Sequence, residues 1–307
     1  ILKPASVNPL TLTKYVELLK EAGIPDGVIQ VVHGSGGVVG TALTSNPDVA
    51  IVSLTGSTEA GIDAAQRVVE HCGHSSLELG GNDAFIICAD GDLDLAVNET
   101  VWGRLYNTGQ VCCASKRFLV ENSVKDEYIK KMVEKIKTLK VGMPSDMSTD
   151  IGCLVSEEAA IEVERQVNET VAAGAKIVIG GKRNGAFYEP TIIDNITKDM
   201  DVAKDMEIFG PVISVIGFDT IEEAIEIANQ SKFGLSGGII TRDTSKALKV
   251  SEAMECGGFV VNGASFFRSF EQPFGGWKYS GIGNEGIMTT LREMSRTKTV
   301  ILKNIMK

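Results

Sequence analysis

The chain has 307 residues, enough to bury a large core and, by length, more suggestive of two domains than one. Hydrophobic residues make up 43% and charged residues 23%, and no uninterrupted apolar run approaches the roughly 20 residues that a membrane-spanning helix needs. The formal charge of -10 argues against a nucleic-acid or anionic-membrane surface, because phosphate binding wants clustered Lys and Arg, so a small molecule or a protein is the expected partner.

In chain order, Asn8 reads as an N-cap and Pro9 as the first helical residue, with Leu12, Val16, Leu19 and Ala22 on one face and Gly23 as the stop. A strand at Val28 to Val32 then runs through a glycine-rich turn into a helix, and Val49 to Gly73 repeats the design. Two strand-turn-helix units in succession predict parallel strands with crossover helices. A second alternation starts after Leu79-Gly80-Gly81, with a strand in Ala84 to Ala89, a helix near Leu93 to Tyr106 and a charged amphipathic helix at about Val124 to Leu139. Three more helix-strand units follow, so the second half also reads as α/β, with a boundary near Gly80-Gly81. The tail Ser295 to Asn304 alternates apolar and polar residues and predicts an exposed strand that needs a partner.

Six cysteines, at 72, 88, 112, 113, 153 and 256, show no framework spacing, which fits a reducing, cytoplasmic setting better than a disulfide scaffold. Cys88 and Cys153 read as core. His71-Cys72-Gly73-His74 has no second pair at a useful spacing, so no metal site is expected.

Gly34-Ser35-Gly36-Gly37-Val38-Val39-Gly40 places its last glycine one position too late for the strict dinucleotide fingerprint. A tight turn and a phosphate cradle at a helix start both fit it. Thr55-Gly56-Ser57-Thr58 puts hydroxyls at another helix start, where Ser57 or Thr58 would cap the helix or reach a phosphate. Glu78 stands alone between two leucines before paired glycines, where burial would raise its pKa and make it a general base; an outward-facing strand end is the plainer alternative. Cys112 follows Gly109-Gln110 and precedes Lys116-Arg117, charges that favour a thiolate if they point inward; packing as a small hydrophobe is the alternative.

The segments "LKPAS", "LTGSTEAG", "LELGGNDAF", "NTGQVCCASKR", "EIFGPV" and "PFGGWKYSGIG", in that order, resemble the aldehyde dehydrogenase superfamily across essentially the whole chain. The resemblance implies part of a Rossmann-like, parallel-sheet dinucleotide-binding domain over residues 1–80. It also implies an α/β catalytic domain over 81–280, and a return segment with an oligomerisation strand over 281–307. It implies Cys112 as nucleophile and Glu78 as general base, with NAD or NADP as cofactor and an aldehyde as substrate. Lys3, Gly36, Gly40, Gly56, Ser57, Glu207 and Phe209 match the family's cofactor-binding positions. Ser6 departs from the NAD-preferring pattern, which has a glutamate three residues after the lysine; losing that charge removes repulsion against a 2'-phosphate and points towards NADP.

Acylating relatives that use coenzyme A typically lack the glutamate, so hydrolysis to the free acid is expected. Arg268 is a candidate partner for a substrate carboxylate such as that of succinic semialdehyde, while Phe266, Phe267 and Phe270 suggest apolar walls and a broad, non-acidic specificity. The family's oxyanion asparagine lies before the Lys-Pro motif, so further sequence upstream of Ile1 is expected. The tail around Thr297 to Leu302 resembles the strand that joins subunits, so a homodimer or homotetramer is expected.

Overall fold

A computed structural model describes residues 1–305. Seven strands form the main sheet: β3 (Asp83–Ile87), β4 (Ser115–Glu121), β5 (Lys176–Ile179), β6 (Thr191–Ile196), β7 (Val212–Phe218), β8 (Ser236–Ile240) and β9 (Gly258–Val261). Their spatial order is β9-β8-β3-β4-β7-β6-β5, parallel throughout except for the β5–β6 edge pair.

Strands covered on both faces read as near-continuous apolar runs, and every residue of β3 is buried. Ala84 and Ile86 face one apolar cluster and Phe85 and Ile87 the other, because side chains alternate along a strand. The first cluster takes in α5 (Glu157–Ala172), α6 (Ile221–Asn229) and α7 (Thr244–Ala253); the second takes in α3 (Leu93–Thr100) and α4 (Asn122–Ile136). Within the second, Phe85 meets Phe118 edge to face at 5.9 Å.

A smaller sheet pairs β1 (Ile51–Thr55) parallel with β2 (His74–Glu78), and β10 (Gly281–Ile282) returns antiparallel to β2. Its crossover helix α2 (Thr58–Val69) is capped by Ser57, whose hydroxyl accepts the Ala60 N–H at 3.2 Å. The helical run of α3 continues through a wider turn, Val101–Leu105, as its apolar pattern predicts.

Three expectations need correction. Val28 to Val32 contributes one parallel bridge, Leu2 to Val31, and no strand: Pro4 has no N–H to extend that ladder. Helix α1 (Leu10–Glu21) takes Pro9 at its N-cap, and the Asn8 side chain accepts from the Thr11 hydroxyl instead of capping backbone. Cys88 is core, but Cys153 is only half-buried. The segment 297–302 pairs with no strand among the described residues of this one chain, and Val300, Ile301 and Leu302 are exposed, as a strand awaiting a partner would be.

Candidate active site

The loop that carries the two thiols is held in a costly shape. Asn107 and Thr108 adopt left-handed φ values of 49° and 57°, and Gly109 follows at 75°. Only glycine fits at 109, since a Cβ there would overlap the Gly210 carbonyl. Gln110 ties the loop down from both ends, donating to the Asn107 carbonyl at 2.9 Å and accepting the Val155 N–H at 2.7 Å. Arg104, fully buried, donates to the carbonyls of Val212 at 2.6 Å and Ile208 at 2.7 Å, which joins α3's extension to the segment holding Glu207 and Phe209.

The two adjacent cysteines differ in chemistry. Cys113 is buried, and its carbonyl accepts from Ser265 at 2.9 Å. Interaction with the adjacent Cys112 sulfur, together with burial, drives its pKa upward. The same pairing, aided by the Lys116 ammonium, lowers the Cys112 pKa against opposition from burial and from Glu207. These surroundings favour the thiolate of Cys112 over that of Cys113.

Glu78 ends β2, opposite Thr55 on one side and Gly281 on the other. It is 4% exposed, and neither carboxylate oxygen has a hydrogen-bond partner among the described residues. Burial raises its pKa to about 8, with the charges of Glu285 and Cys112 adding and Arg268 opposing. The turn after it sits directly on the thiol loop: a Cβ on Gly81 would come 2.8 Å from the Cys112 carbonyl oxygen. The general-base reading of Glu78 thus has the burial it required, and the outward-facing alternative does not hold.

The proposed cofactor positions fall into separate groups. Lys3 and Ser6 both donate to the Gly34 carbonyl at 3.2 Å. Beside them a cavity of about 530 Å³ is lined by Pro4, Ser6, Pro9, Leu10, His33 and Gly34, with other residues. Gly36 and Gly40 bound a short helical turn, and a Cβ on Gly36 would meet open space. Gly56 donates to the Glu78 carbonyl at 3.0 Å, so Ser57 and Gly56 connect the first turn of α2 to the base. Glu207 lies on the thiol side, accepting the Gly81 N–H at 3.1 Å, and Phe209 is half-exposed near Lys116. A slot of this size, lined by the Ser6 hydroxyl and by Gly34, whose carbonyl holds the Lys3 ammonium, suits an adenosine.

Phe266 was expected as an apolar wall, whereas Trp102 and Tyr106 gave no separate signal in the sequence. Trp102, Tyr106 and Phe266 form an aromatic trio with centroids 4.9 to 5.3 Å apart. Phe266 also packs against the Cys113, Leu235 and Phe274 cluster that Cys112 borders. Phe267 and Phe270 are exposed and contribute no such wall. A helical i, i+4 spacing of Trp102 and Tyr106 just before the thiol loop could have revealed the pair. Arg268 lies 3.7 Å from Glu285 and stacks over the Phe274 ring, so its charge is already engaged. His71 contacts the Thr44 carbonyl and His74 pairs with Glu293, in different directions.

The family model for the aldehyde dehydrogenase family matches residues 1–300. The chain belongs to the aldehyde dehydrogenase family. Lactaldehyde dehydrogenase of Methanococcus maripaludis is 40% identical over 309 aligned positions, covering 99% of this chain and 66% of the relative. Glyceraldehyde-3-phosphate dehydrogenase of Methanocaldococcus jannaschii, solved with NADP, superposes with a TM-score of 0.93 at 38% identity, over 98% of this chain and 66% of that one. Betaine aldehyde dehydrogenase of Staphylococcus aureus, a point mutant solved with NAD+, gives 0.91 at 34% identity, over 99% and 65%. The chain thus spans just under two thirds of these aldehyde dehydrogenases.

Proposed function

We propose that the protein oxidises an aldehyde to its carboxylic acid with NAD or NADP. The observation that carries this reading is a thiol loop packed against the turn that follows a buried carboxyl, Glu78, whose oxygens have no hydrogen-bond partner among the described residues; the surroundings lower the thiol's pKa and raise the carboxyl's. The family relationship and the NAD- and NADP-bound relatives support it.

The Cys112 thiolate attacks the aldehyde carbon to give a tetrahedral thiohemiacetal, and loss of hydride leaves a thioester on sulfur. When bound, NAD or NADP supplies the acceptor for that hydride. Lys3, Ser6, Gly36 and Gly40 would hold its adenosine end, Gly56 and Ser57 its pyrophosphate, and Glu207 and Phe209 its nicotinamide ribose and ring. Ionised Glu78 takes a proton from water, whose oxygen attacks the thioester; the acid leaves and the thiolate returns. The trio of Trp102, Tyr106 and Phe266 offers an apolar wall for a non-acidic aldehyde. We assign residues 1–80 to the dinucleotide part, 81–280 to the thiol domain and 281–307 to a return segment whose exposed tail joins a neighbouring subunit of a homodimer or homotetramer.

A panel of aldehydes that includes succinic semialdehyde, run with NAD and with NADP beside Cys112→Ser, tests the assignment. Nucleotide reduction that the substitution abolishes, with free acid formed in the absence of coenzyme A, is expected. An acyl-coenzyme A product would sink the hydrolytic half, and undiminished turnover by Cys112→Ser would sink the whole.

A further inference from the structure

Lys116 lies on β4, a strand buried from Ser115 to Val120, and is itself 2% exposed. Its neighbour Arg117 points to the other side of the strand and spends its guanidinium on the carbonyls of Asn82, Ala203, Ile227 and Ala228. Lys116 points towards the thiol loop. Its ammonium donates to the Cys112 carbonyl at 2.6 Å and the Val111 carbonyl at 3.1 Å, and lies 3.2 Å from Glu207 Oε1. The Ala114 carbonyl lies a further 3.5 Å away, so three carbonyls and a carboxylate surround the ammonium and engage its three donors.

The same Glu207 oxygen accepts the Gly81 N–H at 3.1 Å, and the Glu207 carbonyl accepts from Gln166 at 3.1 Å. The other carboxylate oxygen occupies space that any side chain at position 80 would fill. One buried cation therefore joins three segments: the thiol loop, the turn after Glu78 and the strand-entry segment of Glu207. A buried ammonium without such partners would cost several kcal/mol, so the arrangement is mutually dependent.

We propose that Lys116 is a positioning residue that couples the dinucleotide-holding carboxylate of Glu207 to the reactivity of Cys112. The inference rests on the assignment of those two residues made above. The charged and titratable groups around the thiol are Lys116 from β4, Glu207, Glu78 from β2, Asp83 from β3 and the adjacent Cys113. Lys116 is the cation among them, and it is shared: what Glu207 draws of its charge, the thiolate loses. When the ribose hydroxyls of a bound dinucleotide engage Glu207, that share shifts and the thiol is retuned.

The test needs neither aldehyde nor turnover. Alkylation of Cys112 by iodoacetamide is followed across pH by mass spectrometry, with no dinucleotide present. Lys116→Met should raise the midpoint by about one pH unit or more, within the range for losing an opposite charge, and Lys116→Arg should restore most of it. Glu207→Gln, which keeps the shape and an acceptor for Gly81, should move the midpoint the other way. Lys116→Met should also weaken NAD binding roughly tenfold in a direct titration, an effect of about 1.4 kcal/mol. A midpoint unmoved by both substitutions in folded protein overturns the proposal. If Lys116→Met does not fold, Glu207→Gln decides alone, and no downward movement overturns it. Loss of the dehydrogenase reading would look different: the midpoints would move as described while the parent protein turned over no aldehyde.

Discussion

In the seven-stranded sheet every residue of β3 and β8 is buried, whereas β1 of the smaller sheet has no fully buried residue and β2 is buried only over its last three. The two groups proposed to react are divided between these sheets. Cys112 enters β4 from a loop locked by Arg104, Gln110 and Lys116, and Glu78 is the last residue of β2. The proposed nucleophile thus adjoins a strand buried from Ser115 to Val120, and the proposed base ends a strand whose first two residues are not fully buried.

Removing the nucleophile should have the largest effect. Cys112→Ser is expected to lower aldehyde-dependent nucleotide reduction by at least about 10⁴-fold, since the activated group is lost and a hydroxyl is a far poorer nucleophile at neutral pH. Spectrophotometric assay settles it, and a loss under tenfold would mean that chemistry lies elsewhere.

Next comes packing. Phe118→Ala, in the middle of β4, should cost about 3–5 kcal/mol in urea denaturation, while Ile51→Ala on half-exposed β1 should cost under about 1.5 kcal/mol. Equal costs would erase the distinction between the sheets.

A third effect depends on pH. Burial pushes the pKa of folded Glu78 up to about 8, from the ordinary carboxyl value of about 4.5 that it has in the unfolded chain. Between those values the folded chain keeps a proton that the unfolded chain releases, so stability from this group is full below about 4.5 and declines as pH rises through 8. Asp83, raised by burial to about 7, acts in the same direction at a lower window. Glu78→Gln cannot lose that proton, so its Tm relative to the parent should climb by several degrees between pH 6 and pH 9. A constant gap would place Glu78 in water. The same titration predicts that hydrolysis of the acyl-enzyme accelerates as pH passes 8 in the parent protein and not in the variant.

The smallest effect is local opening. Amides of β1 should exchange with deuterium at least about tenfold faster than those of β3, and dinucleotide binding should slow β1 more than β3. Uniform rates would join the two sheets into one cooperative unit.

Much of this was readable from the chain itself. Ser57 before an amphipathic run fixed the start of α2, and unbroken apolar strands such as Ala84 to Ala89 announced a sheet covered on both faces. Ordered motifs placed Cys112 and Glu78 in one family. Elsewhere the local signal misled: Val28 to Val32 has strand composition, but its only ladder partner runs into Pro4. Trp102 and Tyr106 become a site wall only through Phe266, which a distant loop brings against both rings.

Residue types and their order determined the alternation of elements, the caps, the glycine at 109 and the identity of the reactive groups, because those depend on backbone sterics and intrinsic chemistry. Only the tertiary structure decided which of two neighbouring thiols ionises, that Glu78 is buried without a partner, and that Lys116 faces the site while Arg117 faces the core. Those are consequences of distance and dielectric, and both are set by segments far apart in the chain.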